Sequence, residues 1–443
     1  MSLKFGTDGV RGVAFEELTP ELVHALGRAA ARVLGADEPF YIGRDTRESG
    51  PPLQERLAAG LLAEGARVID LGVIPTPGVA FICASNNAPG AVLSASHNPY
   101  RDNGVKFFAR GGLKLTDDVE AQLEEQLPVL VSPEGEDLLV VTQEAESDAV
   151  AAYERHLVSS LDGRRLNGLS VVLDCANGAA SAIAPKLFEA AGASVAVLHA
   201  SPTGVNINDG CGSTHPESLQ AEVVRVGADV GLAFDGDADR VLAVDATGAL
   251  IDGDHILAVC ALDRRERGQL AGDTLVVTVL ANLGLRLAME SHGVKVIQTD
   301  VGDRYILEAM ASGGWTLGGE QSGHIVFRDL ATTGDGMLTG LQLCDVVVRS
   351  GRPLADLAAV MTRLPQVMIN VRGVDCARLD DAPAVWAAVE KESAALGESG
   401  RVLLRRSGTE PIIRVMVEAA TEPTAQEVAA RIASLIEQEL ALS

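Results

Sequence analysis

Aromatic side chains are scarce in this chain, Phe, Trp and Tyr together making up 3% of its 443 residues. That leaves little to stack on nucleobases or to floor a carbohydrate platform. Positive charge is also short, with 36 Lys and Arg against 61 Asp and Glu and a net charge of −25. Such a surface opposes nucleic acid and anionic membranes as partners, and any anionic substrate needs a local basic site. The six cysteines, at 83, 175, 211, 260, 344 and 376, contain no C-x-x-C pair. Nothing in their spacing suggests a zinc motif, a dithiol redox centre or a disulfide framework, and they read as reduced thiols. No apolar run approaches the roughly 20 residues of a membrane span, and Met1 to Gly9 lacks the apolar core of a signal peptide, so a cytoplasmic location is expected. The absence of any Gly-Lys pair excludes a Walker A loop, and the hydrolase pattern G-x-S-x-G is missing too.

What is present describes a folded protein of several domains: 47% hydrophobic and 22% charged residues over a length too great for one core. Thr19 followed by Pro20 predicts a helix start, with Leu22, Leu26 and Val33 on its buried side and Gly35 as its stop. A strand, a polar loop, a helix, a glycine and a second strand then recur three times. Phe40 to Ile42 leads to Gly65-Ala-Arg-Val-Ile, Val171 to Leu173 to Gly192-Ala-Ser-Val-Ala, and Leu275 to Val277 to Gly293-Val-Lys-Val-Ile. Each reads as a βαβ unit, so the fold class is α/β, with three similar α/β domains. The acidic stretch Glu134 to Asp148 and two later breaks put these at 1–150, 151–252 and 253–365. The remainder, 366–443, reads as a smaller α+β domain with a strand pair, Val402 to Leu404 and Ile412 to Val417, and a helix opened by a capping box at Thr424 and Glu427.

Four loops carry chemistry. The apolar run Ala91 to Leu93 stops in Ser94-Ala95-Ser96-His97-Asn98-Pro99, where proline ends the strand and leaves hydroxyls presented in a turn. A serine is a weak nucleophile unless a base, a metal or a prior modification activates it, and the residues alone leave Ser94 and Ser96 both open. Asp235-Gly236-Asp237-Ala238-Asp239-Arg240 follows the apolar strand Val230 to Phe234. Three like charges this close repel unless a cation holds them, and all-oxygen ligation with few protein ligands fits Mg2+. An EF-hand is excluded because Arg240 and Ala246 occupy its glycine and glutamate positions. Gly318-Gly319-Glu320-Gln321-Ser322-Gly323-His324 can bond vicinal sugar hydroxyls, and His324 can move a proton. Arg405-Arg406-Ser407-Gly408-Thr409-Glu410-Pro411, with Arg414, gathers guanidinium forks, hydroxyls and a glycine amide suited to a phosphate dianion. A weaker signal, the glycine-spaced Phe5 to Gly12, can bring Arg11 and backbone amides to an anion.

Taken in order, the four loops resemble the motifs of the α-D-phosphohexomutase superfamily, and the resemblance spans the whole chain. Phe-Gly-Thr-Asp-Gly-Val-Arg-Gly at the start, the glutamine in Gly-Glu-Gln-Ser-Gly-His and the Ser-Gly-Thr-Glu-Pro ending look like the bacterial phosphoglucosamine mutase branch. The resemblance implies four domains around a central cleft and a phosphoserine at Ser96, beside one Mg2+ held by Ser96, Asp235, Asp237 and Asp239. By the same resemblance Glu320 and Ser322 bind sugar hydroxyls. Arg405, Ser407, Gly408, Thr409 and Arg414 bind phosphate, Arg406 falling where the family motif varies. Lys106, His324 and Arg11 are the candidates for proton transfer, and His97, Asn98 and Arg240 complete the active site. The implied reaction interconverts glucosamine 6-phosphate and glucosamine 1-phosphate through a bisphosphorylated hexosamine, which is both intermediate and activator, and supplies UDP-N-acetylglucosamine synthesis. The implied partners are small sugar phosphates, and a homodimer is one oligomeric state open to such an enzyme. Two alternatives stay open: a phosphomannomutase/phosphoglucomutase, and a metal-dependent sugar phosphatase, since an apolar strand followed by D-x-D also opens haloacid-dehalogenase-type sites.

Overall fold

The computed structural model describes residues 5–6, 9–131, 144–145, 148–407 and 411–442. It opens with β1 (Val10–Val13) and α1 (Pro20–Leu34). As predicted, Thr19 caps α1 by accepting from the Leu22 N–H at 3.2 Å, Pro20 presets the first turn, and Gly35, at φ 92°, ends the helix. There follow β2 (Phe40–Arg44), α2 (Gly50–Ala63), β3 (Val68–Val73), α3 (Thr76–Asn86), β4 (Gly90–Leu93), β5 (Asp102–Ala109), β6 (Leu113–Lys114), α4 (Asp117–Leu130) and β7 (Glu144–Ala145). These strands form one sheet in the order β1-β5-β4-β2-β3-β7, with β6 beside β5. β2 runs parallel to β3 and β4, whereas β5 is antiparallel to both β4 and β1. Leu26, Leu57 and Phe40 belong to one apolar cluster and Val79, Cys83 and Val92 to another, so the sheet is covered on both faces and its strands read as near-continuous apolar runs.

The next layer contains α5 (Ala149–Ser159), β8 (Ser170–Asp174), α6 (Ala184–Ala191), β9 (Ser194–Leu198), α7 (Glu217–Val226), β10 (Val230–Phe234), β11 (Val241–Asp245) and β12 (Leu250–Ile251). Its sheet order is β12-β11-β10-β8-β9. β8 and β9 are parallel, as the βαβ pattern requires, and β10 and β11 form an antiparallel hairpin whose last partners are Phe234 and Val241. The aspartate loop is the turn of that hairpin. The third α/β region comprises α8 (Gly253–Glu266), β13 (Thr274–Thr278), α9 (Leu283–Ser291), β14 (Lys295–Thr299), α10 (Asp303–Gly313), β15 (Leu317–Gly319), β16 (Ile325–Phe327), α11 (Gly336–Ser350) and α12 (Leu354–Ala358). Its sheet runs β14-β13-β15-β16, with β13 and β14 parallel and β15 and β16 joined as an antiparallel pair.

Last come β17 (Gln366–Val371), α13 (Pro383–Leu396), β18 (Arg401–Arg406), β19 (Ile413–Glu418) and α14 (Glu422–Glu439). The antiparallel sheet β17-β19-β18 buries Ile413 and Val415 against Val385, Val428, Ile432 and Ile436. One sequence expectation fails here: α14 begins at Glu422, not after Thr424. Thr421 is extended and accepts from the Thr424 N–H, and Pro423 lies in the first turn, the same device that starts α1.

The chain falls into two compact units, Met1–Leu280 with Val294–Val360, and Ala281–Gly293 with Met361–Ser443. α9 therefore belongs with the C-terminal unit. The buried Glu418 carboxylate accepts from the Leu283 N–H at 3.0 Å, from Asn282 at 3.1 Å and from Arg401 at 2.6 Å, tying the helix start to β19. Among the described residues, no helix is long and apolar enough to cross a membrane.

Candidate active site

Ser94 and Ser96 sit in the turn after β4, two residues apart and differently engaged. The Ser94 hydroxyl donates to Asp45 Oδ2 at 2.6 Å and accepts from the Ser96 N–H at 2.9 Å, so it is used up in shaping the turn. The Ser96 hydroxyl donates to Asp235 Oδ2 at 2.5 Å, at the head of the aspartate loop. Ser96 itself has φ 51°, a left-handed backbone that costs a non-glycine residue roughly 1–3 kcal/mol and needs support from its surroundings. The support is buried. Arg47, paired with Asp45 at 2.9 Å, donates to the carbonyls of Ser96 and Asn98 at 2.9 Å each, and Asn208 Nδ2 donates to the same two carbonyls at 2.9 and 3.0 Å.

Asp235, Asp237 and Asp239 are almost fully buried, and one carboxylate oxygen from each lies within 4.8 Å of the others. Asp237 Oδ2 accepts from Thr76 Oγ1 at 2.5 Å and from Lys106 Nζ at 2.7 Å, and Lys106 also reaches Asp239 Oδ2 at 3.4 Å. Oδ1 of Asp237 and Oδ1 of Asp239 are buried without a hydrogen bond. Buried carboxylate oxygens left without donors in an oxygen-only cluster fit a hard divalent cation. The electrostatics agree. Burial, then Asp239 and Asp237, drive the Asp235 carboxyl well above the usual range. Burial opposes ionisation of Asp239 as well, but Lys106 and His324 outweigh it and hold that carboxyl well below. A bound cation would favour ionisation of all three.

Three cations gather around this pair of loops. Lys106, on β5, binds the carboxylates directly. Arg240 Nη1 lies 3.3 Å from His97 Nδ1, which is 3.3 Å from Ser96 Oγ. Burial, then Arg240 and Arg11, pull the His97 pKa down to about 4, so the imidazole is neutral near pH 7 and accepts from Arg240. Arg11 lies on β1, paired across to Gly104 on β5.

The turn between β15 and β16 carries Glu320, Ser322 and His324. The Ser322 hydroxyl donates to Glu320 Oε2 at 3.3 Å, which puts both groups on one side of the turn. Gly323, at φ 91°, is required: a Cβ there would stand 2.2 Å from the Val241 carbonyl, while the Val241 N–H donates to the Gly323 carbonyl at 3.1 Å. This turn is thereby fastened to the end of the aspartate loop. Buried His324 lies 3.7 Å from Asp239 through Nδ1 and 3.2 Å from Asp303 through Nε2. Burial lowers its pKa, but Asp239 and Asp303 more than reverse this, leaving it above the ordinary imidazole value. Lys114 in turn pairs with Asp303.

In the C-terminal unit, Arg405 and Arg414 are direct cross-strand partners on β18 and β19. Burial and the like charge of Arg414 lower the Arg405 pKa, and opposed guanidinium groups of this kind are relieved by an anion between them. Arg406 is instead paired with Asp380 at 2.6 Å. Ser407 follows at the strand end, and Gly408 and Thr409 lie outside the described residues. The sequence motifs do not reveal Thr76, Arg47, Asn208, Lys114 or Asp303. Each reaches a residue of the site across a long stretch of chain, 161 residues for Thr76 and Asp237 and 49 for Arg47 and the Ser96 carbonyl, where no local period gives a signal.

Family comparison agrees with this geometry. Four stretches match successive parts of one family: phosphoglucomutase/phosphomannomutase alpha/beta/alpha domain I over residues 2–129, domain II over 151–248, domain III over 252–364, and the C-terminal domain over 368–435. A phosphoglucosamine mutase of Frankia alni is 53% identical over 450 residues, covering 98% of each chain, and one of Thermobifida fusca is 52% identical over 100% of this chain and of its own. Among solved structures, a putative phosphomannomutase from Thermus thermophilus superposes with a TM-score of 0.80 at 25% identity, covering 99% of both chains. An Aspergillus fumigatus N-acetylphosphoglucosamine mutase in complex with GlcNAc-6P and magnesium has the same fold, with a TM-score of 0.71 at 19% identity over 99% of this chain and 96% of its own. With all four parts present in order and full-length relatives above half identity, the chain belongs to the phosphoglucomutase/phosphomannomutase family of phosphohexomutases.

Proposed function

We propose that this enzyme is a cytoplasmic phosphoglucosamine mutase, converting glucosamine 6-phosphate to glucosamine 1-phosphate through a phosphorylated Ser96. The observation that carries the reading is the Ser96 hydroxyl held 2.5 Å from Asp235 at the head of a buried three-aspartate loop. In the first half-reaction the P–O bond to Ser96 Oγ breaks and a bond forms between phosphorus and a sugar hydroxyl oxygen, whose proton passes to a neighbouring base while Ser96 Oγ takes up a proton and becomes a hydroxyl again. The bisphosphorylated sugar then reorients and returns its other phosphate to Ser96. Asp235, Asp237 and Asp239 would hold Mg2+, which when bound neutralises charge on the phosphoryl oxygens. The chain supplies the rest. Lys106 and Thr76 fix Asp237, and Arg47 and Asn208 hold the serine turn still, so that Oγ is presented in one geometry.

Of the three proton-transfer candidates, Arg11, a guanidinium with donors and no acceptor, is suited to hold an anion, leaving Lys106 and His324 for proton movement. Glu320 and Ser322 bind the sugar hydroxyls, and Arg405, Ser407 and Arg414 bind the phosphate that is not reacting, with Gly408 and Thr409 proposed for the same role. Among the alternatives, a phosphatase would use Asp235 as nucleophile and would leave the Ser96 hydroxyl, which donates to Asp235 Oδ2 at 2.5 Å, without a role. The test is turnover on glucosamine, glucose and mannose 6-phosphates with released phosphate measured alongside. The reading expects the highest kcat/KM for glucosamine 6-phosphate and no net phosphate release. Equal values for the three sugars would move the enzyme to the neutral-sugar branch, and stoichiometric phosphate release would make it a phosphatase.

A further inference from the structure

Away from the aspartate loop, three side chains of a different chemistry meet. Asp174 ends β8, His199 follows β9, and Cys211 lies in the loop leading to α7. A carboxylate oxygen, an imidazole nitrogen and the thiol sulfur from these residues lie within 4.8 Å of one another. Asp174 and Cys211 are fully buried. His199 Nδ1 is 3.0 Å from Asp174 Oδ2, and this nitrogen is shielded from solvent without making a hydrogen bond. Asp174 Oδ1 accepts from the Ala176 N–H and Oδ2 from the Gly212 N–H, both at 3.0 Å, which fixes the carboxylate while leaving each oxygen a further lone pair.

We propose that Asp174, His199 and Cys211 form a second metal site, selective for a borderline-soft divalent cation of the zinc class and distinct from the oxygen-only aspartate loop. One oxygen, one nitrogen and one sulfur ligand suit tetrahedral Zn2+ with its fourth position open to water, whereas Mg2+ and Ca2+ take oxygen sets. On binding, the S–H bond breaks, a sulfur–metal bond forms and the proton passes to solvent. The site would act on catalysis through the loops it staples. The Asn208 N–H donates to the Ala176 carbonyl at 2.9 Å, while the Asn208 side chain holds the carbonyls of Ser96 and Asn98. The Ala179 N–H meanwhile donates to the Gly236 carbonyl at 2.8 Å. A cation bridging Asp174, His199 and Cys211 therefore rigidifies the support of both active-site turns.

The experiment titrates Co2+ into the full-length enzyme in excess Mg2+, which keeps the aspartate loop filled. Wild type should develop a thiolate-to-cobalt charge-transfer band that saturates at one equivalent. Cys211→Ser should lose the band, and His199→Gln should weaken Co2+ binding at least tenfold. Zn2+ should raise the melting temperature of wild type and not that of Cys211→Ser. His199 is about one third exposed, so His199→Gln carries the test if Cys211→Ser does not fold. Absence of the band in folded wild type, or a band of equal strength and affinity in the folded variants, would overturn the proposal.

Discussion

Two serines two residues apart are told apart by their acceptors: Ser94 bonds Asp45, a carboxylate already paired with Arg47, and Ser96 bonds Asp235. The sequence alone cannot separate them, because both are turn residues and the difference lies in partners 49 and 139 positions away. Another residue's surroundings have a consequence in pH. Asp335 caps α11 by accepting from the Leu338 N–H at 2.9 Å, accepts from the Tyr153 hydroxyl at 2.6 Å, and is raised by burial from 3.8 to about 6. The folded state therefore holds this proton more tightly than the unfolded state. Its contribution to stability is complete below about 4 and is lost as pH rises through about 6. Asp335→Asn keeps a capping acceptor and removes the titration. Urea unfolding at a series of pH values should show the variant free of a decline between pH 4 and 6 worth roughly 3 kcal/mol in wild type. Parallel curves for the two proteins would show that Asp335 titrates alike in both states.

At the scale of elements, the β10–β11 hairpin and the turn after β4 are in direct contact, and turnover is predicted to depend on it. Gly236 makes this possible: a Cβ there would stand 2.6 Å from the Ser96 carbonyl oxygen and 2.9 Å from Asn208 Nδ2. Gly236→Ala should push the two turns apart, costing about 1–3 kcal/mol in stability and about a hundredfold in turnover. Turnover within twofold of wild type, measured on folded protein, would mean that the contact has no part in catalysis. The strands bounding these turns were legible from their apolar runs, and the turns from Pro99 and the aspartate cluster, since both signals are local. The clamps were not, because Arg47, Thr76 and Asn208 sit in stretches with no chemistry-bearing pattern of their own. The start of α14 was misread for a local reason: Thr424 and Glu427 form a plausible capping box, but Thr421 with Pro423 offers the same capping one turn earlier.

For the molecule as a whole, the net charge of −25 requires a local basic site for an anionic substrate; the 405–414 turn is the one expected from the sequence, and Arg11, Lys106 and Arg240 are proposed to add to it near the serine. The three α/β regions were legible because the βαβ pattern repeats three times. The placement of α9 with the C-terminal unit was not, since Glu418 secures it from 135 residues away. A mutase that transfers phosphate from one serine to both ends of a sugar needs one constant grip on the phosphate that is not reacting, and the Arg405–Arg414 pair is proposed for it. Arg405→Ala should weaken binding of glucosamine 1-phosphate and of glucosamine 6-phosphate to unphosphorylated enzyme, each by about tenfold or more, because a charge-assisted hydrogen bond contributes roughly 1.5–3 kcal/mol. Calorimetry that finds only one of the two weakened would mean separate sites. The central claim, that phosphate passes through Ser96, is tested most directly by treating dephosphorylated enzyme with glucosamine 1,6-bisphosphate carrying labelled phosphate and mapping the label by peptide mass spectrometry. The account predicts label on Ser96, lost on chase with unlabelled glucosamine 6-phosphate and absent from Ser96→Ala; label on Ser94 or on Asp235 would contradict it.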